Sequence, residues 1–281
     1  MRHALVTVVV ALTCSASAVH AQQARATGPW QAYDTANGEW RSYAGSIAGT
    51  KYSPLEQIDA NNFGDLELAW EWMSVDNFVS RTMPDGSEWW APLDTIVETL
   101  VDDTPNLYRT GHPPNPSGFQ ATPLMVGGVL YFNTPLSQGV AVDATTGETR
   151  WVFNPKSYEE GTTTMSARWN QRGVAYWSDG DEERIFWGTG NGYLLCVDAA
   201  TGKPCSDFGE GGRVDLMEGI PRAERGERDW LNALLYSVQS PPIVVGDIVV
   251  TPSSISSYNN TKEAPPGWIR GFDVRSGKLE W

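Results

Sequence analysis

Short hydrophobic runs separated by turn residues recur along most of this chain. Runs rich in β-branched and aromatic residues, which are typical of β-strands, lie at residues 129–132, 174–177, 184–188 and 243–251. Apolar positions with helical spacing are confined to one short stretch, residues 95–101. The pattern therefore predicts a protein built of many short strands.

One pattern is repeated three times. VAVDATTGETRW, LCVDAATGKPCS and RGFDVRSGKLEW occupy residues 140–151, 195–206 and 270–281. Each copy combines a strand, the motif Asp-x-x-Thr/Ser-Gly and a second strand, and two of the three copies end in Trp. An aspartate side chain can accept hydrogen bonds from turn N–H groups, and glycine readily adopts a positive φ. Each copy therefore predicts a β-hairpin.

The spacing of the hairpins favours a β-propeller. Asp143, Asp198 and Asp273 are 55 and 75 residues apart, which suits blades with insertions. A β-sandwich would leave the repeated turn and tryptophan unexplained, and a β-helix needs much shorter repeats. We predict an all-β propeller with about four blades in this chain, since the strand end LELAWEW at residues 66–72 adds to the three hairpins. Residues 74–118 are predicted to form a long insertion.

The first 21 residues, MRHALVTVVVALTCSASAVHA, have the features of a secretory signal peptide. A charged start precedes an apolar run at residues 4–12, which is too short to span a bilayer permanently, and small residues precede the cleavage point. A lipoprotein signal at Cys14 is the alternative. We expect an exported, periplasmic protein without a further transmembrane anchor, in which residues 22–281 form part of a propeller that continues beyond Trp281.

Charge and cysteines narrow the picture further. The chain of 281 residues carries 20 basic and 34 acidic residues, a formal charge of −14, which argues against a nucleic-acid partner. Cys196 and Cys205 flank one predicted turn. If residues 199–202 form the loop, these cysteines face each other, and an exported protein can form the disulfide. The alternative is two separate half-buried thiols, and both interpretations stay open.

Several segments, in order, resemble the pyrroloquinoline-quinone (PQQ) dependent dehydrogenases, most closely the membrane glucose dehydrogenase branch. They are WRSYAGSIAGTKYSPLEQI (residues 40–58), FQATPLMVGGVLYF (119–132), RGVAYW (172–177), GKPCSDFGEGGRVDL (202–216), SPPIVV (240–245) and GWIRGFDVRSGKLEW (267–281). The resemblance implies an eight-bladed propeller that holds PQQ over its central axis with a calcium ion. It also implies oxidation of an alcohol or aldose sugar by hydride transfer to the quinone, with a cytochrome or quinone as the electron acceptor.

The resemblance also indicates candidate cofactor contacts. Arg172 lies where the family places an arginine against PQQ, and Arg168 lies near a histidine position of the glucose branch. Ser254 matches a hydroxyl contact, whereas Gln239 stands where relatives have threonine. The metal-binding aspartate of relatives is missing. Asn259 is the candidate calcium ligand in its place, and an ordinary polar loop is the alternative.

The tryptophans are interpreted mainly as packing residues. Trp151 and Trp281 end two hairpins, and Trp70 and Trp72 end the N-terminal strand segment. These four are predicted to pack between blades. Trp89 and Trp90 in the insertion are assigned either to a lid over the substrate or to a loop anchored by its aromatic side chains.

No residue matches the family's catalytic aspartate, so no catalytic base is assigned. We expect the N-terminal part of an exported PQQ-dependent dehydrogenase that is inactive as this fragment. Two alternatives remain. One is a non-catalytic PQQ-like propeller that acts as a binding or outer-membrane assembly scaffold, and the other is a family member that keeps the fold without PQQ.

Overall fold

The computed structural model describes residues 35, 38–46, 48–108, 113–116, 118–161, 169–220, 236–255 and 265–281. This part of the chain contains one α-helix, α1 (Leu93–Asp103), and 3-10 helices at Phe63–Asp65, Val75–Asn77 and Ser157–Glu160. Its strands are β1 (Phe78–Thr82), β2 (Glu88–Pro92), β3 (Leu124–Val126), β4 (Val129–Asn133), β5 (Gly139–Asp143), β6 (Thr149–Phe153), β7 (Ala175–Ser178), β8 (Glu183–Gly188), β9 (Tyr193–Asp198), β10 (Arg213–Asp215), β11 (Tyr236–Ser237), β12 (Ile243–Val245), β13 (Ile248–Thr251), β14 (Ser254–Ile255) and β15 (Arg270–Asp273).

Most strands form successive antiparallel sheets, which are the blades. Blade 1 contains β3 to β6 and blade 2 contains β7 to β10, each paired in chain order. Blade 3 contains β12, β13 and β15, and Leu279 adds a bridge to Phe272 on β15. The hairpin β1–β2 and the pair β11–β14 are separate two-stranded sheets. The predicted all-β propeller fold is confirmed.

The three repeated turns share one geometry. In each, the N–H of the aspartate donates to the carbonyl five residues later, at 2.8–2.9 Å. The carboxylates of Asp143, Asp198 and Asp273 each accept the N–H three residues on, at 3.1, 2.8 and 2.7 Å. The turn glycines have φ of 75°, 69° and 69°, a conformation that other L-residues rarely adopt. The predicted hairpins are therefore confirmed.

Tryptophans pack on the hairpin turns of blades 1 and 2. The ring of Trp70 lies on the blade 1 turn at Gly147, and the ring of Trp151 lies on the blade 2 turn at Gly202. Each indole N–H donates to the carbonyl of the residue after the turn aspartate, at 3.1 and 2.8 Å. We call this arrangement the tryptophan dock. Trp72 packs edge-on against Phe132, with ring centres 5.0 Å apart.

The predicted inter-blade role is confirmed for Trp151. Residues 66–72 form no strand, so the prediction of a strand end there was wrong. Trp70 and Trp72 pack on blade 1 from this segment, and their role between two blades stays a prediction. Trp281 instead lies against Gly271 of its own blade and is 57% exposed, so its inter-blade role stays a prediction.

Blade 2 has no tryptophan at the corresponding position, where Ser206 stands. The loop over residues 205–212, between β9 and β10, takes its place, and the N–H of Gly209 donates to the carbonyl of Ser276 in the blade 3 turn, 2.9 Å away. A disulfide joins Cys205 at the start of this loop to Cys196 on β9, with Cα atoms 5.6 Å apart. Of the two interpretations of these cysteines, the cross-strand disulfide is confirmed.

The insertion folds as the β1–β2 hairpin packed on α1, which includes the stretch with helical spacing. Its buried core includes Ile96, and Leu136 and Trp169 from outside the insertion pack into the same cluster. Trp89 and Trp90 lie on strand β2, so their assignment to a loop was wrong. In the described part of the chain no helix is long and apolar enough to cross a membrane.

Candidate functional site

The segments that precede the first strand of each blade lie side by side. The N–H of Thr122, before β3, donates to the carbonyl of Arg172, before β7, at 3.0 Å. The N–H of Arg172 in turn donates to the carbonyl of Gln239, before β12, also at 3.0 Å. We call these three residues the inter-blade ladder. It fixes the main chain of Arg172 between neighbours from blades 1 and 3.

The side chain of Arg172 is exposed on this ladder. No described residue forms an ion pair or a hydrogen bond with its guanidinium group. A guanidinium group is always charged and presents a planar fork of N–H donors that suits carboxylate oxygens. Arg172 can therefore bind an anionic ligand without first breaking an ion pair to this part of the protein.

Gln239 connects Arg172 to the second candidate contact, Ser254. The Ser254 hydroxyl is partly exposed and donates to the Gln239 side-chain oxygen at 3.3 Å. Because Gln239 also accepts the Arg172 N–H, one residue touches both candidates. The structure thus brings together two residues that lie 82 positions apart in the sequence, 172 and 254. Gln239, noted in the sequence as a departure from relatives, occupies the point between them.

A buried arginine contacts the two-stranded sheet β11–β14, which contains Ser254. Arg270, at the start of β15, is 7% exposed, and its Nη2 donates to the Tyr236 hydroxyl on β11 at 2.8 Å. Its guanidinium group also faces the rings of Trp268 and Phe272. Burial raises the pKa of Tyr236 and so keeps its hydroxyl protonated. Arg270 could not be recognised from the sequence as a buried cation, because it belongs to a hairpin whose repeat explains its neighbours.

Two other polar groups were missed by the sequence analysis. Asn133, at the end of β4, is fully buried, and neither end of its amide has a partner among the described residues. An unsatisfied buried amide is costly, by about 1–3 kcal/mol. Gln171, next to Arg172, is 2% exposed. Buried polar residues that occur singly leave no periodic signal in a sequence.

The remaining predicted contacts fall elsewhere. Arg168 and Asn259 lie outside the described residues, as does the predicted signal peptide at residues 1–21. Within the described ranges no group of three Asp, Glu, His or Cys side chains could hold a metal ion. The calcium expectation therefore stays a prediction.

Comparison with known proteins identifies similar sequences. The family described as "PQQ: Glucose/ethanol/alcohol dehydrogenase, beta-propeller domain" matches residues 40–281. The chain is 31% identical over 264 residues to quinoprotein glucose dehydrogenase A of Acinetobacter calcoaceticus, covering 88% of this chain and 28% of the relative. It is 28% identical over 266 residues to the glycerol dehydrogenase large subunit of Gluconobacter oxydans, covering 90% and 29%. The chain thus spans less than a third of each relative.

Solved structures share the fold. Quinohemoprotein alcohol dehydrogenase ADHIIG of Pseudomonas putida HK5 matches with a TM-score of 0.54 at 23% identity, covering 87% of this chain and 26% of that protein. A europium-containing methanol dehydrogenase matches with a TM-score of 0.52 at 21% identity, covering 86% and 31%. At these identities the likeness concerns the fold.

Proposed function

Since this chain belongs to the family of PQQ glucose/ethanol/alcohol dehydrogenase β-propellers, we propose that it is part of an exported dehydrogenase that oxidises an alcohol or aldose sugar with PQQ. The observation that carries the proposal is the exposed side chain of Arg172 on the inter-blade ladder, where Gln239 links the main chain of Arg172 to the hydroxyl of Ser254. The family match supports the activity class. The choice between alcohol and sugar is part of the proposal.

The donor set suits PQQ, a planar quinone with three carboxylates. Arg172 would hold a carboxylate or quinone oxygen through its charged N–H groups. The Ser254 hydroxyl has one proton, which it donates to the Gln239 side-chain oxygen in the free protein, so it would donate to PQQ in exchange for that hydrogen bond. Gln239 would hold the main chain of Arg172 in place, because its carbonyl accepts the Arg172 N–H. When bound, PQQ supplies the hydride acceptor for the substrate carbon. The described residues contribute binding and orientation.

Three further points belong to the proposal. Export rests on the signal-like residues 1–21, and N-terminal sequencing of protein recovered from the periplasm tests it. Calcium binding through Asn259 is supported by the family resemblance alone, and calcium titration of an N259A variant tests it. A cytochrome or quinone acceptor is proposed because one relative is named "Alcohol dehydrogenase (quinone), dehydrogenase subunit".

The central test is the titration of the full chain with PQQ, followed by tryptophan fluorescence. We expect R172A to bind PQQ about 10- to 100-fold more weakly, since a lost hydrogen bond to a charged group costs about 1.5–3 kcal/mol. R150A is the matched control, because Arg150 is a half-exposed arginine paired with Asp143 in a hairpin turn. If wild type and R150A both fail to bind PQQ with calcium present, the proposed PQQ site of this chain is overturned.

A further inference from the structure

Gln171 is the buried neighbour of the exposed Arg172. With its amide oriented so that both ends find partners, its nitrogen donates to the carbonyl of Gly188 at 3.1 Å. Its oxygen accepts the N–H of Gly190 at 3.2 Å and the hydroxyl of Ser137 at 3.3 Å. Gly188 and Gly190 lie at the β8–β9 connection of blade 2, and Ser137 lies between β4 and β5 of blade 1. One side chain therefore ties blade 1 to blade 2, the blade whose first strand Arg172 precedes.

The main chain before Gln171 is also restrained, by Trp169. Trp169 has φ of 57°, which is uncommon for a bulky residue, yet it is only 5% exposed. Its ring packs in the core of the insertion. Such a conformation persists only when the surroundings enforce it. Trp169 and Gln171 thus restrain the chain just before Arg172.

The blade 1 loop that Gln171 contacts is itself fixed. Asp76, at the start of the insertion, is 1% exposed and accepts hydrogen bonds from the hydroxyl of Thr134 at 2.6 Å and the N–H of Leu136 at 3.1 Å. The Gln138 amide donates to the same carboxylate at 2.8 Å. The loop therefore has a carboxylate on one side and Gln171 on the other, so it can serve as a rigid support.

We propose that Gln171 is a positioning residue that orients Arg172 for ligand binding. Its amide fixes the main chain at residue 171 against both blades, so that the next side chain projects from the inter-blade ladder. The binding part of this inference rests on the proposed function, in which Arg172 contacts PQQ. The anchoring part concerns the protein without any ligand and can be measured separately.

The anchoring is tested by hydrogen–deuterium exchange of the full chain without PQQ. Q171L keeps the approximate volume and removes all three hydrogen bonds. We expect the Arg172 N–H to exchange at least about tenfold faster in Q171L. The lost buried hydrogen bonds lower the free energy needed to open this segment locally, and the exchange rate rises accordingly. T201A is the control, because Thr201 bonds to Asp198 in the blade 2 turn, and it should leave this amide unchanged.

A milder variant provides the test if Q171L does not fold. S137A removes only the Ser137 hydroxyl bond and should accelerate the same amide by a smaller factor. Unchanged exchange at Arg172 in a folded Q171L, or in S137A if Q171L does not fold, overturns the anchoring role.

A double-mutant cycle tests the link to binding, with PQQ itself as the probe. Q171L should weaken PQQ binding about tenfold in the wild-type background and have no effect in the R172A background. An equal loss in both backgrounds overturns the positioning role, because Gln171 would then act independently of Arg172. If R172A binds PQQ like wild type while Q171L accelerates exchange, the proposed function of Arg172 fails and the anchoring stands.

Discussion

The indole nitrogen of Trp151 donates to the carbonyl of Ala199, 2.8 Å away, across the junction between blades 1 and 2. The ring of Trp151 also covers Gly202, where an added Cβ would come within 2.5 Å of a ring carbon. Glycine is therefore required twice at this turn, for its positive φ and for the space that the ring occupies. In blade 2 the Asp-x-x-Thr/Ser-Gly motif thus forms a turn and also provides a surface for the tryptophan of the preceding blade.

This double requirement predicts the cost of an alanine substitution. G202A should be more destabilising than G211A by about 1–3 kcal/mol, the usual cost of overpacking. Gly211 is the matched control, since it has φ of 63° against 69° for Gly202 but no atom near its added Cβ. Urea unfolding measures both variants. Equal losses would mean that the indole ring moves aside without cost.

The hydroxyl of Ser254 should contribute to PQQ binding. S254A is expected to weaken binding about five- to tenfold, because a neutral hydrogen bond contributes about 1 kcal/mol. S253A is the control, since Ser253 is the adjacent serine and its hydroxyl donates to the Trp268 carbonyl at 2.9 Å. Equilibrium dialysis with PQQ compares them, and an equal effect of the two variants would remove Ser254 from the site.

Asp76 should make the stability of the fold depend on pH. Burial raises the pKa of Asp76 above its ordinary value of 3.8, although three hydrogen bonds oppose the shift. Because the folded pKa exceeds the unfolded one, the contribution of Asp76 to stability is largest below pH 3.8 and is lost as pH rises through the raised pKa. The free energy of unfolding of wild type minus that of D76N should therefore decrease from about pH 3 to about pH 7.

Asp143 provides a control of opposite sign. A hydrogen bond from Arg150 and backbone N–H groups lower its pKa to about 2. The stability that Asp143 contributes is present above its unfolded pKa and is lost as pH falls toward about 2. Wild type minus D143N should thus increase with pH over the acidic range. Urea titrations at several pH values measure both differences, and parallel slopes for the two variants would contradict the assignment of Asp76.

The disulfide should stabilise the loop over residues 205–212, which contacts the blade 3 turn in place of a tryptophan. It closes a sequence separation of nine residues, for which loop-closure entropy gives about 2–3 kcal/mol. The free energy of unfolding of the double variant C196S/C205S, measured with urea, should be lower by that amount. A reducing agent should lower the free energy of unfolding of wild type but not that of this variant. A non-reducing peptide map that shows both thiols free would contradict the bond.

Local patterns were the part of the fold that could be predicted. The hairpins follow from Asp and Gly at fixed spacing, since their hydrogen bonds lie within each turn. Trp151 could be assigned to packing because it stands four residues after a turn glycine and so has a fixed direction, whereas Trp70 was assigned because its segment resembles the end of such a hairpin. In the insertion only residues 95–101 carried a helical signal, and its hairpin gave no repeat to compare.

The support of the site could not be predicted from local patterns. Asp76 bonds to Leu136, 60 residues away, and Gln171 bonds to loops of two blades. Such contacts depend on how the blades meet, which no short motif encodes. The position of Arg172 was found through family resemblance, whereas its setting on the inter-blade ladder required the structure.

In each tryptophan dock, the tryptophan is synthesised before the turn on which it packs. Trp70 bonds to a turn 74 residues later in the chain, and Trp151 bonds to one 48 residues later. At about 5–20 residues per second, the indole of Trp151 is made roughly 2–10 seconds before its partner turn exists. During that interval the apolar ring of Trp151 has no partner turn, so the junction between blades 1 and 2 cannot close until the residues of the later turn have been added.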